Sequence, residues 1–168
     1  MYSLESWREA VFEEIRPIAI SVISKVFETM FFISLTPKEG GLTEEPEFLQ
    51  APSSILKGEI GFQGRYKGRL KLYLPSDLAR SMAGNFMGLG EEEVSESQTS
   101  DMVKELCNMI CGNLVCELDR KTVWNLTLPV SGPISLQEME EDNNKGSGTT
   151  VEFSDGGQGL RLTVHFEN

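Results

Sequence analysis

A carboxylate and a carboxamide three residues apart are the side chains in this sequence best suited to chemistry. Glu105 and Asn108 belong to segment 101–120, in which apolar residues recur with helical spacing. At about 100° per residue, Asn108 and Gly112 fall on the same side of this helix as Glu105. The apolar positions fall on the opposite side: Val103, Leu106, Ile110 and Leu114. The pattern predicts a helix that presents an acid and an amide to solvent, on a surface that another molecule approaches closely.

The Glu-x-x-Asn spacing is not specific by itself. The same spacing occurs twice more, at Glu140 to Asn143 and at Glu141 to Asn144, within an acidic stretch. A glutamate and an asparagine on the outer side of a helix are also ordinary solvated residues in many proteins. Geometry alone therefore leaves both a functional and a purely solvated interpretation open.

Length and charge narrow the class of protein. The 168 residues fit a single domain spanning 1–168, and the net charge of −11 argues against a nucleic-acid-binding surface, which needs clustered Lys and Arg. No apolar run is long enough to span a membrane. A signal peptide would need an apolar run where this chain places glutamates: Glu5, Glu9, Glu13 and Glu14. We therefore expect a cytoplasmic protein.

Several common catalytic arrangements lack the residues they need. His165 is the single histidine and lies on the polar side of a terminal strand, which argues against a Ser-His-Asp or Cys-His site. The three cysteines all lie within segment 101–120, at Cys107, Cys111 and Cys116, so we expect reduced, buried or half-buried thiols. No histidine-rich ligand cluster accompanies them, and no metal site is predicted.

The remaining sequence predicts an α+β fold: a mainly antiparallel sheet with two long helices and a shorter helix packed on it. Besides 101–120, helices are predicted in the first 33 residues, in two pieces with Pro17 in the first turn of the second, and from Ser76 to near Gly88. Strands are predicted as a hairpin over 54–74 and as segments 123–130, 148–154 and 158–167. The polar stretch Glu138–Gly148 is predicted to be a mobile loop.

The residues that surround Glu105 and Asn108 give evidence about function that the spacing alone does not. The run from Glu105 to Asn113, Glu-Leu-Cys-Asn-Met-Ile-Cys-Gly-Asn, closely resembles the Glu-Leu-x-Asn-Met-Ile-x-Gly-Asn signature of the CheX branch of the CheC/CheX chemotaxis phosphatases. The resemblance extends to the N-terminal helix, the glycine-marked hairpin and the short helix that follows it. These parts are Val26–Met30, Ile60–Gly64, Gly68–Leu72 and Leu78–Met82.

The resemblance implies a phosphatase that hydrolyses the aspartyl phosphate of a CheY-type response regulator. It assigns Asn108 to orienting the attacking water and Glu105 to anchoring the active-site lysine of the regulator. The regulator would supply Mg²⁺, so no cofactor of the chain's own is expected. Gly112 would leave the helix unobstructed, and Met109 would contact the partner or else lie at the margin of the core.

The resemblance also bears on assembly and on the branch of the family. Members of the CheC branch carry two Glu-x-x-Asn helices. In the N-terminal helix of this chain, the position three residues after Glu28 is Phe31 instead of asparagine. This difference favours the single-site CheX-like branch, whose members form homodimers through the sheet. The alternative is a non-catalytic module that binds a response regulator or serves as a scaffold, as in the related flagellar switch proteins.

Overall fold

The fold is that of one antiparallel sheet covered by helices. The computed structural model describes residues 4–38, 54–145, 148–156 and 158–167. The helices of this part are α1 (Leu4–Phe31), α2 (Ser76–Met87), α3 (Glu96–Leu118) and α4 (Leu136–Asn143). The strands are β1 (Thr36–Pro37), β2 (Ile55–Gln63), β3 (Lys67–Pro75), β4 (Asn125–Leu126), β5 (Val130–Ile134), β6 (Gly148–Ser154) and β7 (Gly159–Phe166). None of the helices in this part is long and apolar enough to cross a membrane.

The strand order is β1-β6-β7-β3-β2-β4, and β5 pairs with β2 on the same side as β4. Every pairing is antiparallel. The predicted α+β class with a mainly antiparallel sheet is therefore confirmed, and so is the hairpin predicted over 54–74. The segment 123–130 forms two short strands instead of one, because β4 ends before Thr127 and β5 begins at Val130.

Strict alternation of apolar residues in the central strands builds the main core. In the β2–β3 hairpin Ile60 lies opposite Leu70, and both side chains are almost fully buried. The helices α1, α2 and α3 cover this face of the sheet. Their buried side chains join those of the strands in a single cluster, which includes Ile23, Phe27, Leu72, Met82, Leu106, Ile110 and Leu162.

A glycine brings α3 unusually close to the sheet. A Cβ atom at Gly58 of β2 would lie 2.5 Å from Sγ of Cys107 and 2.8 Å from Cγ1 of Val103. Real carbon atoms do not approach so closely, so only glycine fits at this position. The absence of a side chain at residue 58 thus fixes the distance between α3 and β2.

The N-terminal helix is continuous, so the prediction of two helical pieces is wrong. Pro17 lies inside α1, and its ring is exposed. Proline removes one backbone hydrogen bond and ordinarily bends or breaks a helix. Here Val11 and Ile15 before it and Ala19 after it are buried on one face, and this packing holds the helix together across the proline.

The prediction of a mobile loop over Glu138–Gly148 is wrong for residues 138–143, which belong to α4; residues 146 and 147 lie outside the described part of the chain. The hydroxyl oxygen of Ser135 accepts a hydrogen bond from the Glu138 N–H at 3.1 Å, and the Glu138 carboxylate accepts one from the Ser135 N–H at 2.9 Å. This reciprocal pair satisfies donors at the start of the helix. Met139 is fully buried against Ile55 and Tyr73, so α4 covers the part of the second face that β2 and β3 form.

That second face is polar yet largely buried. Lys71 and Tyr73 of β3 point into it, and their side chains both bond to Asp142 of α4. His165 of β7 is 8% exposed, and neither ring nitrogen has a hydrogen-bond partner in the described part of the chain. Burial lowers the pKa of His165, so its ring is held in the neutral form.

Candidate functional site

The outer side of α3 carries the predicted site. The helix begins at a well-defined point, because the Ser95 hydroxyl accepts from the Gln98 N–H at 3.1 Å and the Gln98 side chain accepts from the Ser95 N–H at 2.9 Å. The predicted helix 101–120 is thus part of a helix that starts at Glu96 and ends at Leu118. The capping pair sets where each later residue of α3 falls around the helix axis.

The predicted apolar side of α3 is the buried one. Val103, Leu106, Ile110 and Leu114 have at most 1% of their surface exposed. Cys107 and Cys111 are also buried, whereas Cys116 is exposed, and all three are free thiols. Burial raises the pKa of Cys107 and Cys111 to about 12, so these two thiols stay protonated and unreactive.

On the opposite side, Glu105 is exposed and Asn108 is half-buried. In the described part of the chain neither side chain takes part in any hydrogen bond or ion pair. Asn113, five residues further on, differs, because its side-chain NH₂ donates to the Met109 carbonyl oxygen at 2.7 Å. The Asn108 amide is therefore free to bond to a molecule outside the chain, while that of Asn113 is committed to its own helix.

Gly112 leaves an open space beside the pair. A Cβ atom built at Gly112 meets nothing within 4 Å, so packing within the chain does not require glycine there. The opposite holds at Gly58, where packing does require it. A glycine without an internal reason lies one turn beyond Asn108, where the absence of a side chain gives another molecule access to the helix.

The two methionines near the pair differ in burial. Met102 is 6% exposed and belongs to the core, whereas Met109 is half-buried and packs against the edge of the same cluster. Met109 thus presents part of a flexible apolar side chain next to Asn108.

Glu105 and Asn108 are suited to positioning other reacting groups and are not themselves strongly reactive. Residues at i and i+3 on a helix lie about 5–6 Å apart at their Cβ atoms. A carboxylate and an amide at this spacing hold one cationic group and one water or hydroxyl side by side. Among the described residues, no group of three or more His, Cys, Asp or Glu side chains is arranged to hold a metal ion.

The structure has a second polar centre, which sequence reasoning missed. Asp142 accepts bonds of 2.7 Å from the ammonium groups of Lys57 and Lys71 and from the Tyr73 hydroxyl. It borders a surface cavity of about 500 Å³ between β2, β5 and α4. Since these charged groups already satisfy one another, the centre fastens α4 to the sheet. Alternation in β3 had indicated that Lys71 and Tyr73 share a face, but nothing in the sequence indicated that α4 would cover it.

Comparison with known proteins agrees with this fold. The family model described as Chemotaxis phosphatase CheX matches residues 56–154. The solved structure of the chemotaxis protein CheX from Vibrio vulnificus has 19% sequence identity and a TM-score of 0.70, with 92% of this chain and 99% of that chain covered. No curated protein sequence matches significantly.

Two other solved structures extend the comparison. The CheX-CheY-BeF₃-Mg²⁺ complex from Borrelia burgdorferi contains a chain with 19% identity and a TM-score of 0.65, covering 90% of this chain and 97% of that one. FliY from Thermotoga maritima has 16% identity and a TM-score of 0.60, with 98% and 92% covered. At these identities the likeness shows the shared fold.

Proposed function

We propose that this chain, which belongs to the family of the chemotaxis phosphatase CheX, hydrolyses the aspartyl phosphate of a CheY-type response regulator. The observation that carries the proposal is the Asn108 amide, which has no hydrogen-bond partner among the described residues and lies beside exposed Glu105 on an open side of α3. A family member from Borrelia burgdorferi forms a complex with CheY, BeF₃ and Mg²⁺, which supports a partner of the same kind here.

In the proposed reaction, water attacks the phosphorus atom and the bond between phosphorus and the aspartate oxygen breaks. Inorganic phosphate leaves, and the aspartate of the regulator regains its carboxylate. The Asn108 side chain donates to or accepts from the attacking water and holds it in line with the breaking bond. An amide suits this task because it orients water without changing charge, and orientation by itself accelerates phosphoryl transfer.

Glu105 anchors the regulator in this scheme. Its carboxylate is exposed and unpaired within the described residues, so it is available to the active-site lysine of the regulator. Mg²⁺ bound by the regulator would neutralise charge on the phosphoryl oxygens, and the chain needs no cofactor of its own. Gly112 lets α3 enter the shallow active site of the partner, and Met109 contacts its edge.

The test is the rate of phosphate loss from a panel of phosphorylated CheY-type regulators. Wild type accelerates the loss, and Asn108→Ala is slower by at least about 100-fold, since misplacing a reacting group costs this much. Asn108→Asp, which keeps the size but adds a negative charge, also fails. The matched control is Asn144→Ala, which alters an exposed asparagine of the same Glu-x-x-Asn spacing at the end of α4.

Thermal unfolding of the same variants separates catalysis from folding. Because the Asn108 side chain makes no hydrogen bond or ion pair with a described residue, its replacement leaves the melting temperature within a few degrees of wild type. An unfolded Asn108→Ala protein would assign the residue to the fold and contradict the proposed role.

The second candidate is a non-catalytic module that binds a response regulator. FliY from Thermotoga maritima shares the fold without being described as a phosphatase, so the fold is compatible with this alternative. A regulator that binds wild type tightly but keeps its phosphate would decide for this alternative.

We further propose that the chain forms a homodimer through the sheet. The strand β5 pairs with β2 on one side, and in the described part of the chain no strand pairs with its other side. Large apolar side chains are exposed along this edge, with Leu128 at 90% and Val130 at 60%. Sedimentation analysis tests the proposal, and Val130→Lys should halve the mass because charges block edge pairing.

The interpretation of residues 1–168 as a single domain stays a prediction.

A further inference from the structure

Phe32, which follows the last residue of α1, departs from two general rules of protein structure. Its φ angle is +56°, in the left-handed region that a bulky side chain rarely adopts, and its ring is 92% exposed. The Ile33 N–H bonds to the Phe27 carbonyl oxygen at 3.1 Å, six residues back, whereas the bond typical of a helix that ends at glycine spans five residues. The helix α2 ends in the usual way, with Gly88 at a φ of +69°.

Further large apolar side chains are exposed near the helix end that carries Phe32. The rings of Phe31 and Phe86 have centroids 6.3 Å apart, which brings the end of α1 next to the end of α2. Three more large apolar side chains are exposed at these two ends: Met30 at 39%, Phe86 at 52% and Met87 at 39%. We call Met30, Phe32, Phe86 and Met87 the helix-end patch. Clustered exposed apolar side chains of this size mark sites of protein contact.

Acidic residues border the patch. Glu28 precedes it on α1, and the helical turn Glu91–Glu93, which packs against α2, follows it. Glu96 begins α3 immediately afterwards. All of these glutamates are exposed, and none forms an ion pair with another described residue. The surface is therefore apolar at its centre and negatively charged at its rim.

We propose that the helix-end patch is a second docking contact for the same response regulator, which meets it with an apolar surface bordered by Lys and Arg. This inference rests on the proposed function. The charge of the rim argues for such a partner, because complementary charges guide association. It argues against a second copy of this chain, since a symmetric contact would place the same glutamates against each other.

The patch lies within reach of a regulator seated on the site. From Glu96 to Glu105, α3 rises about 14 Å at 1.5 Å per residue, and the patch lies at the end of α2 that leads into the start of α3. A protein interface of ordinary size covers about 800 Å² on each partner, which is roughly 30 Å across. This width is larger than the rise of α3 from its start to Glu105, so an interface of ordinary size can extend from Glu105 and Asn108 to the start of α3.

The decisive variant is Phe32→Gly, which removes the ring and places at this φ angle the residue that tolerates it best. Steady-state dephosphorylation should show KM raised by roughly 5- to 30-fold, the range expected for an aromatic contact residue, with kcat within about twofold of wild type. The melting temperature should be equal to that of wild type or higher. A residue needed only for folding would give the reverse, a lower melting temperature and an unchanged KM.

A second variant and a control complete the experiment. Phe86→Ser removes another ring of the patch and should also raise KM. The control Leu136→Ser removes an apolar side chain of similar exposure, 44%, from α4 on the opposite face of the sheet, and KM should stay unchanged. Increasing salt should raise KM for wild type, because the rim attracts a basic surface.

The outcomes separate this inference from the proposed function. If wild type dephosphorylates a regulator and both Phe32→Gly and Phe86→Ser have the KM of wild type, the docking contact is overturned and the proposed function stands. Variants that change the sedimentation mass without changing KM would assign the patch to a second copy and overturn it as well. Wild type that accelerates no regulator would refute the proposed function, and this inference with it.

Discussion

Replacing Asp142 by alanine removes the carboxylate that fastens α4 to the polar face of the sheet. The carboxylate accepts bonds of 2.7 Å from Lys57, Lys71 and Tyr73, which belong to two different strands. Lys57 keeps a second partner in Glu59 at 2.8 Å. The Lys71 side chain is 9% exposed and has no other ion pair with a described residue, so its charge is left buried and unpaired.

The structure sets the expected size of this effect. Breaking a fully buried ion pair from one side costs about 3–5 kcal/mol, and an unsatisfied buried hydroxyl costs about 1–3 kcal/mol. Asp142 is 19% exposed, so water partly compensates the loss. We therefore expect Asp142→Ala to lower the free energy of unfolding by about 2–4 kcal/mol, from the lower part of these ranges. For a chain of this length the melting temperature falls by roughly 5–15 °C.

Urea unfolding followed by circular dichroism at neutral pH measures this change. Asp142→Asn keeps an acceptor but not the charge, and it should fall between wild type and alanine. The matched control is Glu140→Ala, two residues away on α4, where the carboxylate is exposed and no hydrogen bond with a described residue is lost. A loss below about 0.5 kcal/mol for Asp142→Ala, the level of an ordinary surface substitution, would refute the assignment of Asp142 as the fastening group.

The pH dependence gives an independent check of the same reasoning. Burial raises the pKa of Asp142, but hydrogen bonds from Lys57, Lys71 and Tyr73 outweigh burial and hold the pKa well below its usual range. A lowered pKa in the folded state stabilises the protein at pH values above the unfolded pKa of about 3.9. This contribution is lost as the pH falls below that value. Wild type should therefore lose more stability than Asp142→Asn when the pH is lowered from 5 to 3.

Three further predictions concern α3. Gly58→Ala should lower the free energy of unfolding by about 1–3 kcal/mol in a urea titration, because its Cβ would lie 2.5 Å from the Cys107 sulfur. Gly112→Ala meets no neighbour within 4 Å and should gain up to about 1 kcal/mol of stability, yet it should slow regulator dephosphorylation by obstructing the approach to α3. Iodoacetamide should alkylate Cys116 in the native protein, whereas Cys107 and Cys111 should react only after the protein unfolds. Burial raises the pKa of the Cys107 and Cys111 thiols to about 12, so they stay protonated in the folded protein. The masses of the alkylated peptides measure the difference.

The sheet was predictable from sequence because one of its faces is built by simple alternation. In β7 every second residue from Leu160 to Phe166 is apolar, and the same pattern in β3 fixes which side chains enter the core. The sequence did not reveal that the other face would be covered as well. Polar residues such as Thr163 and His165 are typical of a solvated face, yet both are buried here, and the Thr163 hydroxyl lies 3.5 Å from the side-chain oxygen of Asn143 in α4.

The two errors in the helices have different physical causes. For α4, the stretch 136–144 contains many polar residues, and these outweighed a local signal that was present. Ser135 and Glu138 have the spacing of a capping box, and Met139 supplies the one buried contact. For α1, local proline chemistry favoured a break at Pro17, and burial along one face prevailed because it acts over the whole helix.

The candidate site could be located in part. The angular positions of Glu105 and Asn108 follow from helical spacing, and the structure places both on the outer side of α3. The helix-end patch could not be predicted, because it forms only where the ends of α1 and α2, which are far apart in sequence, lie next to each other. The sequence does not show that Phe32 and Phe86 are exposed at neighbouring helix ends, because this depends on the contact between α1 and α2.

The capping pair at the start of α3 determines where the chain tolerates changes in length. One residue inserted between Ser95 and Glu105 would turn Glu105, Asn108 and Gly112 together by about 100° relative to the start of α3. Seven inserted residues would restore the angular position but move the amide about 10 Å further from the start of the helix. Residues inserted before Ser95 would leave the spacing within α3 unchanged. Between residues 95 and 108 the spacing must therefore be kept residue by residue, whereas an insertion before Ser95 does not turn Asn108 around the axis of α3.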